Sequence, residues 1–461
     1  MNVYDLFRYA NRPQAQTHPG RLQVIGKLAG MEPPPIATCR VLELGTSEGV
    51  NIIPWAAQWP QAQFAGVDLA AEPILRGQEF IRECGLSNVH LEVMNLLDIS
   101  RDYGQFDYIL AHGLYAWTPP IVRDKILAII RDCLSPQGIG FVSYNTQPAG
   151  HIRKMVREML LFHCGHLEDP IEKLTAARTL LTALAKEKPE IDAYDAVLVA
   201  HARDLLTRSD SALFHDDMGE LYEPVTISSF AANAGLHGLQ YLGDTGLIDD
   251  GHALPPEAVQ TAQEFAKGDR IRTLQYYDFF RMRRFRQSLV CHQNIALNLN
   301  PPASALVGLY ACSLAQEVSE GTFSVPGAVR LSTNHPVPLA YLRRLMSIYP
   351  ENEAISEADA PVALQLLKAG AIEVHSFPAL AKRAGEKPRS GALVQRQARR
   401  NDPFVTTLWH QPLDIDEKVR QFVLLLDGTR DRQQLAQDMQ CAPEVIDREL
   451  ASASRHALLI S

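Results

Sequence analysis

The chain is predicted to be an α/β protein: a doubly wound parallel sheet with a helical insertion, followed by smaller α+β winged-helix-like domains. Three observations predict this. Cys39 to Ala70 spells a strand, a glycine-bounded turn, a helix and a second strand that ends on an acid. Apolar runs of strand length then alternate with helical patterns as far as Ser143. After Pro301-Pro302 that alternation gives way to short, helix-rich segments.

With 461 residues, 46% of them hydrophobic and 21% charged, the composition is that of a globular protein of several domains. A net charge of −9 provides no basic field, so a nucleic-acid partner is not expected. The stretch from Met1 to Tyr9 lacks a basic region leading into an apolar core, so no signal peptide is expected. No apolar run approaches the roughly 18 residues of a membrane span, so membrane insertion is not expected either. Seven cysteines, odd in number and without a C-x-x-C pair, suit a reduced cytoplasmic setting.

Residues 1–35 form an N-terminal helical cap closed by the stiff Pro33-Pro34-Pro35. Tyr9 and His18 are its notable side chains, expected as a packed aromatic and a helix cap. The sheet begins with Val41 to Leu44, an apolar run suited to a buried parallel strand. Gly45-Thr46-Ser47-Glu48-Gly49 is the turn. Val50 to Trp59 is a helix with Ile52, Ile53, Ala56, Ala57 and Trp59 on one face. Phe64 to Leu69 is the second strand and carries Asp68 near its tip.

Such a unit holds a nucleoside. The glycines let backbone pass under a ligand, and a carboxylate at the neighbouring strand tip accepts both ribose hydroxyls. A dinucleotide site would need G-x-G-x-x-G, whereas here Glu48 stands where a phosphate would lie and Glu43 precedes the turn. This argues for a cofactor without phosphates. The turn also matches the G-x-S-x-G nucleophile elbow. That elbow follows a central strand with others before it, and only about forty residues, without a convincing strand, precede this one.

Pro73 to Cys84 is a helix stopped by Gly85. Val89 to Met94 is the third strand, followed by Asn95-Leu96. Phe106 to Ala111 is the fourth, leading into His112-Gly113-Leu114-Tyr115-Ala116-Trp117. Val122 to Cys133 is a helix, and Ile139 to Ser143 the fifth strand, ending on Tyr144-Asn145-Thr146. Ligands of doubly wound sheets sit beyond the carboxyl ends of the strands, which gathers Gly45, Asp68, Asn95, His112 and Asn145 around one crevice.

Residues 151–220 read as a helical insertion, and 221–298 as the remainder of the sheet domain with an antiparallel last strand from Phe285 to Cys291. His163-Cys164-Gly165-His166 is too short a set of ligands, and no metal is expected. Six arginines between Arg270 and Arg286 suit a solvated, ion-paired helix. Residues 299–385 form a middle domain and 386–461 a winged-helix-like domain, with the basic stretch 379–400 as a linker or exposed edge.

E-x-G-x-x-x-G followed by an acid after the second strand resembles the first two motifs of class I S-adenosylmethionine methyltransferases. Thr17-His18-Pro19, RVLELG, HGLYAW, SYNTQPAG, Arg284-Phe285-Arg286 and LLDGTRDR together are similar to one subgroup over nearly the whole chain. It is the bacterial class I methyltransferases with a methyltransferase regulatory domain, of the rickettsial protein-lysine methyltransferase type. Ser47 departs from the usual middle glycine, Gly150-His151 replaces an aromatic found in the subgroup, and the amine-methylating Asn/Asp-Pro-Pro-Tyr is absent.

The resemblance implies a Rossmann-like class I methyltransferase sheet and S-adenosyl-L-methionine as cofactor, with S-adenosyl-L-homocysteine as product. It places the cofactor on Glu43, Gly45, Thr46, Ser47, Gly49, Asn51, Asp68, Leu69, Asn95, Leu96, Ala111, His112 and Gly113, with Tyr9 and His18 closing over it. It implies a protein lysine as acceptor, C-terminal domains that help hold the protein substrate, and a possible homodimer through the insertion. Tyr115, His112 and Tyr144 are the catalytic candidates, and Trp117 and Asn145 the substrate-binding ones. A small-molecule or carboxylate methyltransferase and a non-catalytic cofactor-binding module are the alternatives the residues leave.

Overall fold

The computed structural model describes residues 11–186, 191–219, 221–246, 254–326 and 330–461. Tyr9 therefore lies outside the described residues. Helix α1 (Pro19–Leu28) starts on Pro19, and the His18 side chain accepts from Gly20 N at its head. The main sheet then builds from β1 (Arg40–Leu44), α2 (Ile52–Gln58), β2 (Gln63–Asp68), α3 (Ala71–Cys84), β3 (Val89–Val93), β4 (Phe106–Ala111), α4 (Pro120–Cys133) and β5 (Leu134–Asn145). The insertion supplies α5 (Gly150–Cys164), α6 (Pro170–Leu184) and α7 (Ala193–Leu206). The sheet resumes with α8 (Ile227–Leu236), β6 (Leu239–Asp244), α9 (Pro256–Ala266), α10 (Arg270–Arg281) and β7 (Phe285–His292).

The strand order is β3-β2-β1-β4-β5-β7-β6. The first five strands are parallel, and β7 is antiparallel to both β5 and β6. The order reverses between β1 and β4, so the carboxyl ends of these two strands open the crevice. Both faces are covered. Leu22, Ile25, Val41, Trp55, Ile74, Tyr108 and Phe141 pack on one side, and Leu42, Leu44, Ile126, Ile130, Tyr144, Phe230 and Leu274 on the other. β5 is longer than the predicted strand at both ends, because Leu134 pairs with Phe106 of β4 and Asn145 with Phe285 of β7.

Arg286 corrects the expectation of a solvated arginine stretch. It is fully buried in β7 and donates to both oxygens of Asp278 on α10 at 2.8 Å, and to Asp244 of β6 at 2.5 Å. Asp244 also accepts from Tyr241 Oη, Ser288 Oγ and Arg283. Burial works against the Arg286 charge, but Asp244, Tyr241 and Asp278 outweigh it and hold its pKa above the ordinary value. The network locks β6, β7 and α10 together.

The insertion has its own core of Val156, Leu160, Leu174, Ala177, Leu181 and Leu205. Beyond the sheet, β8 (Tyr310–Cys312) lies between β12 (Glu353–Ala354) and β13 (Glu373–His375), and β9 (Gln316–Ser319), β10 (Thr322–Ser324) and β11 (Leu331–Ser332) form a second small sheet. Helices α11 (Pro336–Ile348) and α12 (Ala360–Lys368) complete this middle part, whose core also takes Val24 and Leu28 of α1. The C-terminal part holds α13 (Ala392–Arg399), the hairpin β14 (Phe404–Thr406) and β15 (Pro412–Asp414), then α14 (Glu417–Leu425), α15 (Arg432–Asp438) and α16 (Pro443–Arg455). The stretch predicted as a basic linker or edge contains α13. That helix buries Leu393, Val394, Gln395, Gln397 and Ala398 while Arg399 faces out. No helix of the described residues is long and apolar enough to cross a membrane.

Asp278→Ala leaves the Arg286 guanidinium with one carboxylate in a buried site. The expected loss is about 3–5 kcal/mol, read from the urea midpoint. A change below about 1 kcal/mol would show that the network does not hold this edge.

Candidate functional site

The turn after β1 is fixed by hydrogen bonds rather than by glycine alone. The Glu43 carboxylate is 3% exposed and accepts from Thr46 Oγ1 at 2.6 Å and Asn51 Nδ2 at 2.7 Å. Burial pushes its pKa up to about 7, while the Thr46 and Asn51 hydrogen bonds pull the other way. Glu43 is thus spent on the shape of the turn. Gly45 has φ +72°, and a Cβ there would meet Leu114 Cδ2 at 2.7 Å. Gly77 on α3 lets that helix approach the turn, since its Cβ would meet Glu48 O at 2.7 Å.

Ser47 stands at φ +50°, a conformation that favours glycine. Two hydrogen bonds offset the strain. Its N–H donates to Asp68 Oδ2 at 2.8 Å, and its Oγ accepts from Asn11 Nδ2 at 2.7 Å. Asp68 Oδ1 accepts from Ala70 N at 2.9 Å. Each carboxylate oxygen keeps acceptor capacity for a ribose hydroxyl. Beside Asp68, Leu69 is 72% exposed, and Val93 and Leu97 are also bare. This apolar ledge at the tips of β2 and β3 fits the faces of a purine base. Asn95 is exposed next to it, with its Oδ1 held by Leu97 N at 3.0 Å, and Leu96 follows half-buried.

On the other side of the crevice, β4 ends on the buried Ala111. Gly113 has φ +70°, and a Cβ there would meet no atom within 4 Å. Ser143 Oγ accepts from Gly113 N at 2.8 Å and lies 3.0 Å from His112 Nδ1. Burial beside Phe141 and Phe285 pushes His112 down to about 4, so the imidazole is neutral at pH 7. Its Nε2 has no hydrogen-bond partner among the described residues. The same holds for the Asn145 side chain at the end of β5, itself 9% exposed. Turn, ledge, Asp68 and Gly113 together fit a phosphate-free nucleoside cofactor.

The three catalytic candidates separate. Tyr115 and Tyr144 are 2% and 1% exposed and pack on Phe230. Tyr115 Oη accepts from Asn233 Nδ2 at 3.1 Å, and Tyr144 Oη bonds Ser288 Oγ at 3.0 Å. Both hydroxyls are engaged within the core, so only His112 presents a free polar atom. Trp117 is half-buried against Tyr222, with Arg153 and Arg157 over both rings. Asp217, fully buried, pairs with Arg153 and Arg208 and ties that stack to the insertion.

Sequence reading missed what closes the turn from behind. Asn51 Oδ1 accepts from Gln14 N at 2.8 Å and faces His410 Nε2 at 3.2 Å. His410 is fully buried, at φ +57°, with its ring 4.7 Å from Trp55. His18 caps α1, as the plainer of its two readings expected, and packs on Trp55, Phe377 and His410.

Residues 41–138 match the methyltransferase domain family, 209–292 the predicted methyltransferase regulatory domain, and 386–456 the PKMT C-terminal winged helix domain. Fold, turn and family matches define a class I S-adenosylmethionine-dependent methyltransferase. The structure of PKMT2 from Rickettsia typhi has a TM-score of 0.85 to this chain at 26% identity, covering 98% of this chain and 100% of that one. The same protein in complex with AdoHcy has a TM-score of 0.84 at 27% identity, with the same coverage. One uncharacterized protein of Rickettsia prowazekii is 29% identical over 94% of this chain and 84% of its own length. Another is 36% identical over 47% of this chain and 88% of its own length. The chain belongs to the bacterial class I methyltransferases that carry a methyltransferase regulatory domain and a PKMT winged helix.

Glu43 takes up its proton more readily folded than unfolded, where its pKa is the ordinary 4.5. Its contribution to stability is therefore present at low pH and lost as pH rises from 4.5 through about 7. Glu43→Gln should flatten the fall in melting temperature across that window, and an unchanged slope would refute the assignment. His410→Ala should weaken S-adenosyl-L-homocysteine binding roughly tenfold by calorimetry, because Asn51 loses its support. An unaltered affinity would show that the turn holds without the C-terminal part.

Proposed function

We propose that the protein transfers methyl groups from S-adenosylmethionine to lysine side chains of a protein substrate. The observation that carries this reading is the full-length likeness to PKMT2, winged helix included, joined to a cofactor turn built as above. When bound, the cofactor supplies an electron-poor sulfonium methyl for in-line displacement, so positioning is the main task of the protein. Asp68, with the ledge of Leu69, Val93 and Leu97, holds the nucleoside. The backbone at Gly45, Thr46, Ser47, Gly49 and Gly113 lies under the cofactor. Leu96 and Ala111 flank it, and Asn95 has its amide nitrogen available at the rim.

A lysine acceptor must lose a proton, which costs roughly 4.6 kcal/mol at pH 7 from its ordinary pKa. His112 is a poor base for this step. With its pKa near 4, charging it at pH 7 costs roughly 4 kcal/mol more. Its role in our reading is to accept a hydrogen bond from the neutral amine and orient it, with the Asn145 amide as second contact and Trp117 as wall. Tyr115 and Tyr144 support that loop from the core. In this reading the amine gives its proton to solvent before it reaches the sulfonium methyl.

Methyl-labelled S-adenosylmethionine is incubated with the protein and a bacterial lysate divided into protein and small-molecule fractions. Label in protein bands, absent with Asp68→Ala and mapped to lysine by mass spectrometry, is expected. Label confined to small molecules would overturn the protein-acceptor reading. With an accepted substrate in hand, His112→Phe should lower kcat more than cofactor affinity; equal loss in both would remove His112 from acceptor binding.

A further inference from the structure

β8 and β13 form an antiparallel pair with Glu373 opposite Cys312 and His375 opposite Tyr310. Strand alternation turns Ala311 and Val374 into the middle core, where they are 0% and 3% exposed. The opposite face therefore gathers Cys312, Glu373 and His375, side by side and directed toward α1 and Trp409. His375 Nε2 lies 3.5 Å from Cys312 Sγ and 3.7 Å from Glu373 Oε2, and the three ligand atoms all lie within 4.8 Å of one another.

The first separation is that of an ordinary sulfur hydrogen bond, and the second is too long for a hydrogen bond. Both suit an ion at the centre. Ligand atoms bound tetrahedrally at about 2.0–2.3 Å sit roughly 3.3–3.6 Å apart. The His375 ring stacks on Trp409 at 4.2 Å, which fixes its orientation before any ion arrives. Cys312 is buried, while the Glu373 side chain is 44% exposed and leaves an entry path. Arg21 acts on Glu373 electrostatically, but among the described residues no ion pair within 4 Å joins them.

We propose that Cys312, Glu373 and His375 bind a divalent zinc-type cation, with water completing the shell. One sulfur, one nitrogen and one oxygen donor match a borderline-soft ion better than magnesium or calcium. A thiolate and a carboxylate neutralise its two charges, and the thiol proton leaves to solvent on binding. The ion would pin β8 to β13 at the place where Trp409 leads into His410 and the cofactor turn.

The test uses the full chain, stripped of metal and titrated with cobalt(II), then zinc. A thiolate-to-cobalt charge-transfer band is expected, displaced by zinc, together with a zinc-dependent rise in melting temperature. Cys312→Ser should lose both signals, while Cys441→Ser, outside the cluster, should keep both. Glu373→Gln, at a part-exposed position, should melt like the wild type without metal and lose most of the zinc-dependent rise. The proposal is overturned if the wild type gives no band, if the band survives Cys312→Ser, or if Glu373→Gln leaves the zinc response intact.

Discussion

One buried carboxylate organises this molecule. Glu43 sits where β1 meets its turn, and its two oxygens hold Thr46 and Asn51. Burying it costs enough to lift its pKa to about 7, so the surrounding donors are not optional. Asn51 passes the constraint on: one end of its amide grips Glu43, the other takes Gln14 N and His410 Nε2. The cofactor turn is therefore assembled from the N-terminal segment, the sheet and the winged-helix part together. None of the three supplies it alone.

Much of this was legible in sequence because it is local. The strand-turn-helix-strand from Val41 to Asp68 is a run of apolar strands, glycines and a terminal acid, each carrying its meaning within a few residues. The departure at Ser47 was also legible, though not its remedy: the hydrogen bonds to Asp68 and Asn11 are tertiary. His410 lies 359 residues from its partner Asn51, and no spacing rule links them. Arg286 was misread for the opposite reason. A local cluster of arginines looks solvated, and only the pairing of β7 with β6 brings Asp244 beneath it. Cys312 lies 63 residues before His375 and meets the pair Glu373 and His375 only through strand register.

The tyrosines show how composition misleads about chemistry. Tyr115 lies in the turn after β4 and Tyr144 within the last two residues of β5, where acceptor-side residues are expected. Both rings pack into the cluster around Phe230, and their hydroxyls are engaged by Asn233 and Ser288. His112, one residue past β4, keeps a free nitrogen. A neutral imidazole held by Ser143 is a poor proton acceptor, because its low pKa disfavours charge.

The same geometry explains why the C-terminal domains are built in rather than tethered. A winged helix joined by a flexible linker would raise the local concentration of a protein substrate but leave the cofactor turn untouched. Here the segment just before β15 places Trp409 on His375 and His410 on Asn51, and Arg400 pairs with Glu83 of α3. Displacing the winged helix would strip a buried donor from Asn51 and expose Trp55. Any displacement of that domain therefore acts directly on the turn after β1, through packed side chains and hydrogen bonds rather than through a linker.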